Sequence, residues 1–307
     1  GGTIGLAGDV YTKGVSGYWQ IIGWNIGWLM LVFMAKRLWS TGASSVVDVF
    51  GKSCGKTTRL AAALACLVFS VPALSTQLIG LGNMFKVVFS VAGIDLDYKI
   101  FVTISCIIMV FAVFKGGLYS SAYSGTFNFF ILAVVFVICL PIFTCVAAGG
   151  ASQAITNIEI LPASFKALFA GVSVSATLLA IVKYCVTAGS NIAYVNTTLA
   201  AKDAKTARNG SIGGIISYFI IPGIIMVCTL VLINVFPNLE NPSSVLTFSF
   251  LNIFPPVIRG LSVIALIAVV LSTATIWVQN SGKIFGSDIY AHVKKNVTED
   301  EVLKVCK

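Results

Sequence analysis

Four stretches of this chain place polar groups where an apolar sequence has no structural need for them. Leu271-Ser272-Thr273-Ala274-Thr275 lies within a long apolar run. Adjacent hydroxyls at that depth can offer two hard oxygens to Na+, joined by a free carbonyl such as that of Val269. The competing reading is that each hydroxyl bonds back to its own helix. Lys183, with Tyr184 and Thr187 beside it, sits inside another apolar run. A buried lysine costs about 2.5–3.5 kcal/mol on insertion scales, so it should face the interior and bind an anionic solute group or stand in for a coupling cation. The alternative is a lysine that snorkels to the interface.

The third stretch is the opening Gly1-Gly2-Thr3-Ile4-Gly5-Leu6-Ala7-Gly8. A helix that restarts at Gly1, Gly2 and Gly5 would turn its free N–H groups and positive dipole end toward a carboxylate. Close glycine packing between helices explains the same residues. The fourth, Gly116-Gly117-Leu118-Tyr119-Ser120-Ser121-Ala122-Tyr123-Ser124-Gly125, would line an inner vestibule or pack through small residues.

Other chemistries are poorly served. His292 is the sole histidine and the eight cysteines form no CxxC pair, which removes a His-rich metal site and leaves the cysteines as small apolar residues. There is no buried carboxylate pair and no nucleophile motif, so no enzyme is expected. The polar groups are too sparse to line a passive channel.

The elements that must position these groups are membrane helices. Of 307 residues, 57% are hydrophobic and 10% charged, and the mean hydropathy is +0.96. Soluble domains carry roughly 25% charge. The apolar runs predict one transmembrane domain over 1–307, with a half-helix at 1–10 and spans at 18–34, 60–92, 100–114, 121–147, 163–188, 212–236 and 257–278. The 60–92 run is too long for an upright crossing and must tilt or project, with a kink at Pro72. The chain opens on Gly-Gly inside an apolar pattern, and so reads as a piece of a longer protein.

Loop charge sets the orientation. Lys36, Arg37, Lys52, Lys56 and Arg59 follow the first full span; Lys115, then Lys202, Lys205 and Arg208, follow at two-span intervals. Loops 36–59, 115–117 and 202–208 and the C-terminal tail are therefore expected in the cytoplasm, and the chain is expected to be a multi-pass plasma-membrane protein. The formal charge of +9 sits in these short loops, which argues against a nucleic-acid partner. The lipid bilayer and a small organic solute are the partners expected.

In this order, the motifs resemble the sodium/solute symporter family, which includes the sodium–glucose, proline, pantothenate and choline carriers. Gly1-Gly2-Thr3-Ile4-Gly5 through Tyr11-Thr12-Lys13-Gly14 is similar to the second half of that family's first core helix. Gly116 to Ser124 is similar to the start of its fifth, and Thr198-Leu199-Ala200-Ala201-Lys202-Asp203-Ala204-Lys205-Thr206-Ala207-Arg208 to the loop after its sixth. Phe254-Pro255-Pro256, Arg259-Gly260-Leu261, Leu271-Ser272-Thr273 and Gly286-Ser287-Asp288-Ile289-Tyr290 together resemble the eighth.

The resemblance implies an all-α polytopic protein, a leucine-transporter-type inverted-repeat helical bundle incomplete at both ends, working by alternating access. It implies sodium-coupled symport of a small organic solute, and Lys183 with the helix N-terminus at Gly1 points to an amino acid or carboxylate. It implies Na+ ligands at Val269, Ser272 and Thr273, and solute contacts at Gly1, Gly2, Gly5, Tyr184 and Thr187, to which the residue reading adds Lys183. The chain departs from the family's pattern at Gly125 and Asn128, where relatives carry aspartate and glutamine, and at Asn196-Thr197, where they carry Gln-Arg. Lys183 is not a standard family feature. The alternatives that these departures leave open are a proton-coupled or uncoupled carrier, or a non-transporting solute sensor with the same fold.

Overall fold

The structure is a computed structural model. It describes residues 2–91, 93–94, 96–114, 118–169, 173–291, 294 and 298–306; Gly1, Lys115, Gly116, Gly117 and His292 lie outside them. Among the described residues there is no strand. The helices are α1 (Gly2–Lys13), α2 (Trp19–Ser40), α3 (Val46–Cys54), α4 (Lys56–Val91), α5 (Tyr98–Phe114), α6 (Leu118–Ala133), α7 (Leu140–Ala147), α8 (Ala151–Glu159), α9 (Ala163–Lys166), α10 (Val174–Gly189), α11 (Ile192–Leu199), α12 (Ala204–Val235), α13 (Val245–Ile253), α14 (Pro256–Lys283) and α15 (Glu299–Cys306). Among the described residues, six helical runs are long and apolar enough to cross a membrane: Gly2–Ser40, Lys56–Ser90, Gly125–Ala147, Val174–Leu199, Ala204–Val235 and Pro256–Tyr290.

Several boundaries differ from the sequence expectation, each for a local reason. The half-helix at 1–10 and the span at 18–34 are joined by a 3-10 turn over Gly14–Tyr18. Gly14 makes this turn possible: it has φ +65° and packs against the backbone of Phe165, a conformation that a Cβ would strain. The expected 163–188 span is two elements. Pro162 starts the short α9, and the membrane helix begins at Val174, where the Ser173 side chain accepts a hydrogen bond from the N–H of Ala176. The 121–147 and 257–278 spans contain or continue into π-helical segments, Val134–Cys139 and Ile284–Tyr290. The 36 residues of α4 reach about 54 Å at 1.5 Å per residue, beyond the roughly 30 Å hydrocarbon layer. The 17 residues of α5 reach only about 25 Å.

The contacts fall into two groups that share one continuous core, to which α1, α4, α12, α13 and α14 all contribute. α2 packs along α10 and α12, joined by α1 and α11; α4 packs against α5, α14 and α3, and α14 also against α6. Gly23-Trp24-Asn25-Ile26-Gly27 fixes the first group. A Cβ at Gly23 would stand 2.8 Å from the carbonyl oxygen of Ile181, and one at Gly27 would overlap that of Cys185. This small-xxx-small spacing brings two membrane helices to backbone contact. An aromatic layer continues the packing: Trp24 meets Tyr184, Tyr194 and Tyr218 at ring separations of 6.3, 5.9 and 6.2 Å, and Trp28 meets Tyr194 at 4.7 Å.

At the end that holds α3, buried Asp288 accepts from Arg59 Nη2 at 2.8 Å and from Ser45 Oγ at 3.2 Å, and the Lys283 ammonium donates to the Ser44 carbonyl. At the opposite end, Tyr11 donates to the Phe236 carbonyl at 2.5 Å and accepts from the N–H of Leu239 at 3.1 Å.

Candidate ion and solute site

Three oxygens meet in the middle of α14. Ser272 Oγ donates to the Val269 carbonyl at 2.9 Å, and Thr273 Oγ1 donates to the same carbonyl at 3.0 Å. Helical spacing creates this convergence, because the i−3 and i−4 carbonyls of neighbouring hydroxyls include one shared acceptor. Both side chains are partly buried. Thr273 lies on the stripe of α14 that buries Val270 and Trp277, and Ser272 lies at its flank. Thr275 bonds back separately, to the Ser272 carbonyl at 2.9 Å. Rotating the two hydroxyls would turn their lone pairs outward beside the carbonyl. Three neutral hard oxygens then form a partial shell for a small hard cation. Among the described residues no group of three or more His, Cys, Asp or Glu could hold a metal ion.

The expected solute residues separate. Gly2 and Gly5 share the exposed face of α1 with Thr12, while Ile4, Ala7 and Gly8 are buried. Nothing lies within 4 Å of a Cβ at Gly5, and a Cβ at Gly2 would stand 3.5 Å from the Tyr218 hydroxyl. Gly1 lies outside the described residues. Tyr184 packs on Gly23 and Trp24, which ties it to α2. Thr187 Oγ1 donates to the Lys183 carbonyl at 2.7 Å. Lys183 is exposed, with its ammonium 5.2 Å from the Tyr184 ring centroid. It shares its face of α10 with exposed Leu179, Val182 and Val186, not with the stripe that packs on α2.

Three features escaped the sequence reading. Asp9, a carboxylate inside the opening apolar stretch, is held by Lys13 Nζ at 2.8 Å and Gln20 Nε2 at 3.2 Å. Tyr218 lies beside Gly2, although more than two hundred residues separate them in sequence, and no local pattern announces that contact. The helical run Val174–Leu199 breaks at Ser190-Asn191, where buried Asn191 caps α11 by accepting from the N–H of Ala193 at 2.9 Å. The Gly189-Ser190-Asn191 sequence carries the signal, an N-cap residue after two small ones. A break inside an apolar run frees backbone groups for a ligand.

A family model described as "SSF: Sodium:solute symporter family" matches residues 2–307. The chain belongs to the sodium:solute symporter family. Its fold is also similar to a solved structure of a Na+-coupled sialic acid symporter, substrate-bound and outward-open, in which a novel Na+ site was found. The likeness covers 99% of this chain and 70% of that one at a TM-score of 0.74 and 15% identity. This symporter is therefore a multi-pass membrane transporter rather than an enzyme, with the leucine-transporter-type helical bundle and Na+ as the coupling ion.

Proposed function

We propose that this symporter moves a small anionic or zwitterionic organic solute, such as an amino acid or carboxylate, together with Na+ by alternating access. The observation that carries the reading is the family match over residues 2–307. Val269, Ser272 and Thr273 are the Na+ ligands proposed, and because both hydroxyls bond back to the Val269 carbonyl, binding an ion requires them to rotate away from it. The solute contacts proposed are Gly1, Gly2 and Gly5, with Tyr184 and Thr187 resting on the family resemblance alone, since Tyr184 packs on α2 and Thr187 bonds back to Lys183. Support comes from the open face of α1, whose N-terminal end carries positive potential, and from the Tyr218 hydroxyl beside it. The exposure of Lys183 among apolar neighbours supports the snorkelling role over a solute contact.

Uptake by the full-length protein in proteoliposomes tests this. Ser272→Ala and Thr273→Ala should each raise the Na+ concentration for half-maximal uptake, while Lys183→Gln should leave the solute KM within about twofold, as for an exposed charge. Unchanged sodium dependence in both hydroxyl variants would remove the ligand assignment. A raised KM in Lys183→Gln would return that lysine to the solute site.

Loops 36–59, 115–117 and 202–208 and the tail are proposed to face the cytoplasm on the charge rule. Exposed Cys54 should then react with a membrane-impermeant maleimide only from the cytoplasmic side; labelling from outside would invert the topology. A non-transporting sensor is the second reading, favoured by Gly125, where nothing lies within 4 Å of a Cβ and no carboxylate stands at the family's position. Solute binding without counterflow would select it.

A further inference from the structure

The two packed groups of helices meet through the central core and again near the Arg59 end, where α11 touches α3 and α14. The seam is largely apolar. Ile192 clusters with Val47, Trp277 and Ile284, with Cys66 and Leu67 packed behind them. Val195 clusters with Leu31 and Leu38, with Val46, Val49 and Leu199 around them. Two side-chain amides, those of Asn196 and Asn280, meet in this seam. Asn196 Oδ1 accepts from the backbone N–H of Val46 at 2.9 Å, and Asn196 Nδ2 donates to Asn280 Oδ1 at 2.8 Å. The Val46 N–H can only donate, so it fixes which way the Asn196 amide faces, and that in turn fixes Asn280. Neighbouring polar bonds have another role. Arg59 to Asp288 and Ser45 to Asp288 tie α3 and α4 to the segment after α14, within one group. The Asn196 bonds cross between groups.

We propose that Asn196 is a latch on the α11 side of the seam, a positioning residue whose two hydrogen bonds close the path between the helix break at Ser190-Asn191 and the Arg59 end. Apolar contacts alone permit sliding, because they are non-directional. The amide admits one register, so the closed state is a defined one. Opening that path requires both bonds to break, and their strength sets how often it opens. This rests on the alternating-access reading above.

Cys66, partly buried behind the seam, reports opening. The experiment uses the full-length protein in vesicles, with the rate of Cys66 modification by a small impermeant maleimide added at the Arg59 side and read by mass spectrometry. Saturating Na+ without solute should slow labelling of the parent. Asn196→Ala should speed it roughly threefold to tenfold, the range expected for one or two net hydrogen bonds. Asn280→Ala keeps the Val46 bond and should give a smaller increase, and the double variant should label no faster than Asn196→Ala. Asn196→Gln, which retains an amide, should recover part of the parent rate; it also guards against a folding defect in the alanine variant. A parent that responds to Na+ while Asn196→Ala labels at the parent rate overturns the latch and leaves the carrier reading standing. Additive effects in the double variant also overturn it. A parent whose Cys66 rate responds to neither Na+ nor solute overturns the alternating-access reading itself.

Discussion

A buried carboxylate is tolerated when its partners neutralise it, and Asp288 is 1% exposed with Arg59 and Ser45 as its partners. Arg59 is itself 27% exposed in its side chain, so water screens part of the attraction. Arg59→Gln should still cost about 2–3 kcal/mol, because it leaves the charge buried with one hydroxyl. Asp288→Asn keeps the shape without the charge and should cost less, about 1 kcal/mol. Apparent Tm in detergent reads the order; an equal or larger drop for Asp288→Asn would contradict this account. At this scale the sequence is readable where a contact is local. Ser272 and Thr273 stand one residue apart, and helix geometry alone gives them a common acceptor. Tyr218 and the role of Asn196 were not legible, because their meaning lies in distant partners; Asn196 and Asn280 are 84 residues apart.

Among the elements, close contact between α2 and α10 depends on Gly23 and Gly27. Gly27→Ala places a methyl group into the Cys185 carbonyl and should force the helices apart, at about 1–3 kcal/mol for overpacking. Gly260→Ala on α14 meets nothing within 4 Å and should stabilise by up to about 1 kcal/mol, through helix propensity. Thermal denaturation of the two variants should therefore move in opposite directions, and a neutral Gly27→Ala would show that the helices do not pack as described. The G-x-x-x-G pattern was visible in the sequence, but hydropathy counting passes over it because glycine is nearly neutral there. The same counting merged α9 with α10 and ended the span before Asn191. Hydropathy registers average apolarity, whereas caps and breaks depend on single residues such as Ser173 and Asn191.

For the whole molecule, apolar runs and alternating loop charge sufficed to predict an all-α multi-pass bundle, and the family match supports a transporter that uses sodium. The pairing of helices into two groups was not available from composition, because it depends on glycine contacts, aromatic rings and single amides. Both groups contribute to one continuous core through α1, α4, α12, α13 and α14, so the alternating access proposed above requires part of that core to repack. The Na+ assignment then becomes a statement about linkage, since an ion that binds one state better stabilises that state. The direct test is equilibrium Na+ binding to the purified full-length protein, read as saturable thermal stabilisation with K+ as control. The parent should be stabilised by Na+ and not by K+, and Thr273→Ala should need about tenfold more Na+ for the same effect, equivalent to 1.4 kcal/mol. Equal stabilisation by both ions, or an unshifted Na+ curve in Ser272→Ala and Thr273→Ala, would contradict the assignment.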